Sequence, residues 1–278
     1  SGFTCRSFAG AMNMTLNNNN NVNANNVNRT VKRGRTIKLS QGFHRATDFK
    51  ITVSGINIQG TSNEWPNKTV VACGTHNAQT RRGRCFTSSD DQYSDTGEQV
   101  FLASLSGITL VPIQRQQGEY EDYGGAMFIS GVKHAVVIAH VVFANFTAKV
   151  HGGALMFMDI GEEIQIMISH AIFVGCVANN HVKPKNSFGG AVSIVNAVVD
   201  IQDSSFQRNG GGGGATHISS RDRVYYGGAV AVVSHAWLQN TLEPDRVDLT
   251  QRKTILNLNR CEFYNNEAQG GGGVIFIA

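Results

Sequence analysis

Charge is scarce in this chain. Only 16% of its 278 residues are Asp, Glu, Lys or Arg, against roughly 25% in ordinary soluble domains. Its surface must be covered by Asn, Ser, Thr, Gln and Gly, which suits a β-rich extracellular protein better than a helical cytosolic one. Proline is also rare, with 4 residues, and apolar residues at helical spacing are hard to find, which argues against a helical fold. No apolar run approaches the ~20 residues a membrane-spanning helix needs. The basic residues are scattered apart from Val31-Lys32-Arg33-Gly34-Arg35 and Arg81-Arg82-Gly83-Arg84. A nucleic-acid binder would show a basic stripe interleaved with aromatics, so no nucleic-acid partner is expected from a net charge of +4. No Cys-x-x-Cys occurs, and a zinc site is not expected. The chain opens at Ser1 with no visible signal peptide, which reads as a mature or excised form whose targeting segment is gone.

What remains is apolar and glycine-rich: 41% hydrophobic residues and 31 glycines, enough for a large core. The five cysteines are Cys5, Cys73, Cys85, Cys176 and Cys261. Cys73 and Cys85 flank a polar loop, and a disulfide closing it is expected. Cys176 and Cys261 fall among repeats and read as small buried hydrophobes, with the state of Cys5 open. Asn-x-Ser/Thr sequons place N-glycan candidates at Asn13, Asn28, Asn67 and Asn145, usable on a secretory route from exposed loops.

Residues 1–35 form an Asn-rich segment of low complexity, with Asn17 to Asn20 unbroken. It reads as disordered or as a cap laid against the first rung. From residue 36 to 278 the chain reads as short strands. Ile51 to Ile58 and Leu105 to Leu110 resemble each other, both alternating strands interrupted by Ser-Gly, and a glycine inside a strand marks a bend.

The strongest signal is an internal repeat over residues 124–278. Gly-Gly-Ala and an apolar residue recur from Gly124-Gly125, Gly152-Gly153, Gly189-Gly190 and Gly227-Gly228, with a degenerate copy from Gly271. The variable spacing between copies lies in loops spanning 179–188, 207–226 and 236–252. Each copy then reaches a phenylalanine: Phe143, Phe173, Phe206 and Phe263. Seven residues before it stand Val136, Ile166, Val199 and Leu256, and five before it Ile138, Ile168, Ile201 and Leu258. Two before it stand the smaller Val141, Ala171, Ser204 and Cys261. Strand side chains alternate with period two, so the parity change between five and two predicts a corner. The polar column three before the phenylalanine, His140, His170, Asp203 and Arg260, sits at that corner or faces out.

A unit of this kind cannot bury its inner face alone. Stacked at ~4.8 Å, successive units complete each other's hydrogen bonds and align like side chains. The predicted fold is all-β, a right-handed parallel β-helix. Gly-Gly-Ala-apolar followed by Phe-x-x-Asn (Phe206 to Asn209, Phe263 to Asn266) resembles the repeat of the chlamydial polymorphic outer membrane proteins and their β-helical relatives. Phe143-Ala144-Asn145-Phe146 and Phe173-Val174-Gly175-Cys176 depart from the second motif. The Ser-Gly-Ile segments look like pectin-lyase-type rungs. The resemblance covers residues 124–278 and implies a right-handed β-helix and surface adhesion; the motif specifies fold more than function.

Catalytic signals are weak. A β-helical lyase or hydrolase needs paired carboxylates, or a base beside calcium, on neighbouring rungs. Asp90, Asp91, Asp95 and Glu98, and Glu119, Glu121 and Asp122, are oxygen-rich groups of the calcium-binding kind that read better as solvated loops. His140, His170 and Asp203 would be brought together by stacking. Asp200 and Asp203 are a carboxylate pair, although Asp200 has Val137, Met167 and Asn257 in its column. Gly210 to Gly214 lacks a following Lys-Ser/Thr and is no phosphate loop. The expected role is a non-catalytic, secreted structural or adhesive glycoprotein, a building block of a cell-surface layer or filament. It has no resident cofactor and associates with itself or with other extracellular subunits. The apolar strand ending at Ala278 is expected to be continued by more chain or capped by another subunit. The alternatives are a carbohydrate-active enzyme, or a carbohydrate-binding module using a row of exposed aromatics from Tyr120, Tyr123, Tyr225, Tyr226 and Trp237.

Overall fold

The computed structural model describes residues 36–46, 55–62, 64, 66–73, 84–88, 101–113, 121–178, 187–210, 225–234, 253–268 and 270–278. They form a parallel β-helix: every strand pairs in parallel with its counterpart in an adjacent turn, and the inner strands of each stack with counterparts on both sides. The first sheet stacks Thr36–Lys38, Ile56–Gln59, Leu102–Pro112, Val136–Ala144, Gln165–Ser169, Val198–Gln202 and Ile255–Asn259 in that order. A second arm of the same sheet runs through Gly42–Ala46, Thr69–Cys73, Ile172–Val174, Ser205–Gln207 and Glu262–Tyr264, and joins the first through the two long strands. The second sheet holds Glu121–Tyr123, Thr147–His151, Val177–Ala178, Ser187–Phe188 and Tyr225–Tyr226. The third holds Phe86–Ser88, Met127–Ser130, Leu155–Met158, Val192–Val195, Val230–Val233 and Ile275–Ile277.

The columns read from the repeat are real registers. Phe143, Phe173, Phe206 and Phe263 pair in sequence, with ring centroids 4.9, 4.7 and 4.9 Å apart and nearly parallel planes. That separation is the strand spacing itself, so backbone pairing and ring stacking are satisfied together. The isoleucine column is longer than the repeat. Ile37, Ile58, Leu105, Ile138, Ile168, Ile201 and Leu258 align across seven rungs, and all but Leu258 are buried.

The corner inferred from parity is present, and its cause is conformational. His140, His170, Asp203 and Arg260 all have left-handed backbone, with φ between 50 and 54°. Gly107 stands in the same register with φ 64°. This conformation is rare for residues with a Cβ, and His and Asp tolerate it better than most. The partner of Gly107 one rung earlier is Gly60, whose N–H bonds the carbonyl of Ser106. The Ser-Gly likeness between Ile51–Ile58 and Leu105–Leu110 therefore does not correspond to the structural register, in which Ile56 pairs with Leu102.

The two glycines of each Gly-Gly pair do different things. The first has positive φ, 52 to 70° over Gly124, Gly152, Gly189 and Gly227. The second is excluded from carrying a side chain by the next rung: a Cβ on Gly153 would lie 2.0 Å from the Gly190 carbonyl oxygen. Residues 179–186, 211–224 and 235–252, where copy lengths differ, lie outside the described residues, as do the Asn-rich residues 1–35.

Cys73 and Cys85 form the expected disulfide, with Cα atoms 4.7 Å apart. It ties the end of Thr69–Cys73 to the start of the third sheet's first strand. Closing a loop of 12 residues restricts the unfolded chain by about 3 kcal/mol. Reduction, or Cys73→Ser with Cys85→Ser, is therefore expected to lower unfolding free energy by roughly that amount in a urea titration. An unchanged midpoint would show that the first rungs unfold independently of the rest.

Candidate functional site

Three surfaces carry the polar and aromatic groups singled out from the sequence. The first is the left-handed corner. His140 and His170 stack there, with ring centroids 4.5 Å apart, and burial and the neighbouring His170 hold the His140 pKa below its ordinary value. Asp203 follows in register, but its carboxylate is bound by Arg260, Nε at 2.5 Å and an Nη at 2.7 Å. That hydrogen bond, first among its causes, lowers the Asp203 pKa. Stacking thus does bring the histidines together and gives the aspartate to an arginine. Among the described residues no group of three or more His, Cys, Asp or Glu converges to hold a metal.

Outward from the first sheet, Val137 pairs with Met167 and Val142 with Ile172. Val137, Met167 and Ile172 are 36, 37 and 39% exposed, giving an apolar band two rungs wide on either side of the histidine pair. Asp200 continues the Val137, Met167 column. It accepts from the side-chain amides of Gln165 and Asn257. The two carboxylates of this rung, Asp200 and Asp203, are each held by a neighbouring rung's side chain and do not face each other as an acid–base pair.

The third surface is a seam that the sequence reading missed. The residue before each Gly-Gly forms a column, Tyr123, His151, Phe188 and Tyr226. Its rings contact one another at 5.7, 4.9 and 5.4 Å. Tyr123 and Tyr226 lie in strands and are partly buried, not displayed on loops. Across the Gly-Gly corner they meet the outward face of the third sheet, where Met156, Val195, Ala231 and Val233 are buried in a cluster separate from the main core. The corner is therefore re-entrant: the outward faces of two sheets close on each other. Arg84 caps the upper end, bonding the carbonyls of Tyr123 and Gly124 and lying over the Phe128 ring. Two signals for this were in the sequence. The Gly-Gly of each of the four full repeats is preceded by an aromatic ring or histidine, and the strand after it is apolar apart from Ser130 and Ser193, as in Leu155-Met156-Phe157-Met158, close to the pattern of a strand buried on both faces.

Of the sequon asparagines, Asn67 lies on a 3-10 turn and Asn145 at a left-handed turn position, and both are exposed. Asn13 and Asn28 lie outside the described residues, as do Asp90, Asp91, Asp95, Glu98, Glu119, Tyr120 and Trp237. Glu121 and Asp122 belong to a strand of the second sheet. Cys176 is buried, and burial pushes its thiol up to about 12. Cys261, expected to be buried, is only partly so because it lies in the last described rung.

Comparison with protein-family models, with characterised proteins and with solved structures gives no significant match. The class is thus defined by the fold: an all-β, parallel-stranded solenoid with a disulfide. No helix among the described residues is long and apolar enough to cross a membrane.

Proposed function

We propose that this chain is a non-catalytic extracellular structural or adhesive glycoprotein, a β-helical block of a cell-surface layer or filament, in keeping with the adhesive role its repeats' resemblance implies. The observation that supports this most directly is the apolar band of Val137, Met167 and Ile172 on the outward face of the first sheet. Singly exposed apolar residues are ordinary, but apolar residues paired across neighbouring rungs on both sides of one corner favour contact with another macromolecule. The disulfide fits an oxidising compartment, and exposed Asn67 and Asn145 fit N-glycans.

Sedimentation and electron microscopy of the natively secreted protein test the reading. Association into ordered arrays or filaments is expected. Met167→Glu with Ile172→Glu should weaken it at least tenfold, by roughly the 1.4 kcal/mol that a charge placed in an apolar contact readily costs. Thermal stability should barely change, as for most surface substitutions. A dispersed monomer that cleaves a polysaccharide equally well with and without these substitutions would overturn the reading and favour a carbohydrate-active enzyme.

A further inference from the structure

His151 occupies the one place in the aromatic seam where a ring carries nitrogen at its edge. It is 0% exposed. Nδ1 lies 3.2 Å from the Ser193 hydroxyl, and Nε2 has no hydrogen-bond partner among the described residues. Its ring lies between Tyr123 and Phe188, with Ser193 approaching from across the re-entrant corner. An imidazole here is neutral by necessity. A protonated ring would carry two donors, one of them unanswered, in a site closed to solvent.

We propose that this seam is an acid-opened latch: protonation of His151 parts the outward faces of the second and third sheets at the Gly-Gly corner and exposes the apolar residues between them. Phenylalanine or tyrosine fills the column at Tyr123, Phe188 and Tyr226, so shape alone does not require histidine at this position.

Among the described side chains none offers His151 Nε2 a hydrogen-bond acceptor. On its own strand Lys149 lies two residues back, across the register irregularity between Ala148 and His151. On the preceding strand stand Tyr123, Glu121 and Asp122, with Glu121 in register with Ala148 rather than with His151. Arg84 binds the Tyr123 carbonyl above the column. The following strand Ser187–Phe188 brings no titratable side chain, and the third sheet brings Met156 and Ser193. Burial is the sole cause that holds the His151 pKa down to about 3.

The sign follows from linkage. Between the ordinary histidine value near 6.5 and about 3, the opened seam binds a proton that the closed seam refuses. Its opening constant therefore rises about tenfold for each pH unit lost, and the closed form is most favoured above pH ~6.5.

Hydrogen exchange of the seam amides tests this, using Gly125, Gly153 and Gly190 with Ile138 and Ile168 of the first sheet as reference. Allowance is made for the intrinsic pH dependence of exchange. Between pH 6.5 and 4.5 the seam amides are expected to open about fiftyfold more often while the reference amides keep their protection, and His151→Phe should abolish the difference. An equal pH response in His151→Phe, or seam and reference amides opening together, would overturn the proposal. Should that variant fail to fold, the wild-type imidazole decides alone, observed by NMR with labelled histidine. A His151 ring that stays neutral through pH 4.5 in the closed form supports the latch, and one that titrates near 6.5 without opening overturns it.

Discussion

Gly190→Val is expected to abolish folding of the repeat region, or to destabilise it by more than about 4 kcal/mol, the range reserved for substitutions that nothing nearby can absorb. A Cβ at Gly190 would lie 2.2 Å from the Gly228 carbonyl oxygen, and 2.5 and 2.7 Å from the backbone nitrogen and oxygen of Gly210. All three are main-chain atoms, fixed by the hydrogen bonds of adjacent rungs. A side chain could turn aside; these atoms can move only if the rungs separate. The matched control is Gly271→Ala. Its Cβ would meet only the rings of Tyr226 and Phe276, at 3.8 and 4.0 Å, and the cost should stay within about 1 kcal/mol, the range of ordinary propensity effects. Urea denaturation of the two variants separates the steric account from a general intolerance of Gly loss. Comparable costs at both positions would refute it.

This contrast also explains what was legible in the sequence. Gly-Gly-Ala and the phenylalanine column could be read because each rung repeats the same steric demand with the same residue. The column does not stop at Phe143. It continues through Leu110, Val71 and His44, all buried, but there the inner position is filled by different side chains. In the rung of Val71 the turn at Pro66–Lys68 comes between Ile56–Gln59 and Thr69–Cys73. A column that changes residue type across an interrupted rung leaves no motif. The seam was illegible for another reason. Alternation assigns Tyr123, His151 and Phe188 to the outside of the solenoid, and the outside is normally wet. Only the re-entrant angle at the Gly-Gly corner makes it a second interior, and that angle is a property of the folded backbone. The polar corner, by contrast, was placed correctly from parity alone. What parity could not supply was that Arg260 takes the Asp203 carboxylate, because pairing between rungs depends on which side chain comes next in the stack.

Asn209→Leu is expected to cost about 3–5 kcal/mol, since buried polar groups left without partners cost roughly 1–3 kcal/mol each. The reason is the asymmetry of the Phe-x-x-Asn motif. Asn209 is 1% exposed. Its Nδ2 donates to the Phe173 carbonyl and its Oδ1 accepts from the Cys176 N–H, each at 3.0 Å. The backbone N–H of Asn209 and its Nδ2 both reach Asn266 Oδ1, and Asn266 in turn donates to the Phe206 carbonyl. Each asparagine therefore serves the turn of the rung before it, and leucine would strand a carbonyl and an N–H inside the corner. Where the motif departs, the demand is met differently. Cys176 directs its thiol to the Phe143 carbonyl at 3.5 Å, the same acceptor position in the rung above, and buried Phe146 fills the column before it. Cys176→Asn should then be tolerated or stabilising, with its new amide donating to Phe143 and accepting from the Phe146 N–H. Guanidinium denaturation of Asn209→Leu and Cys176→Asn checks both halves. A severe loss in the cysteine variant would mean that this corner is fitted to sulfur, not to a hydrogen-bonding pattern that passes from rung to rung.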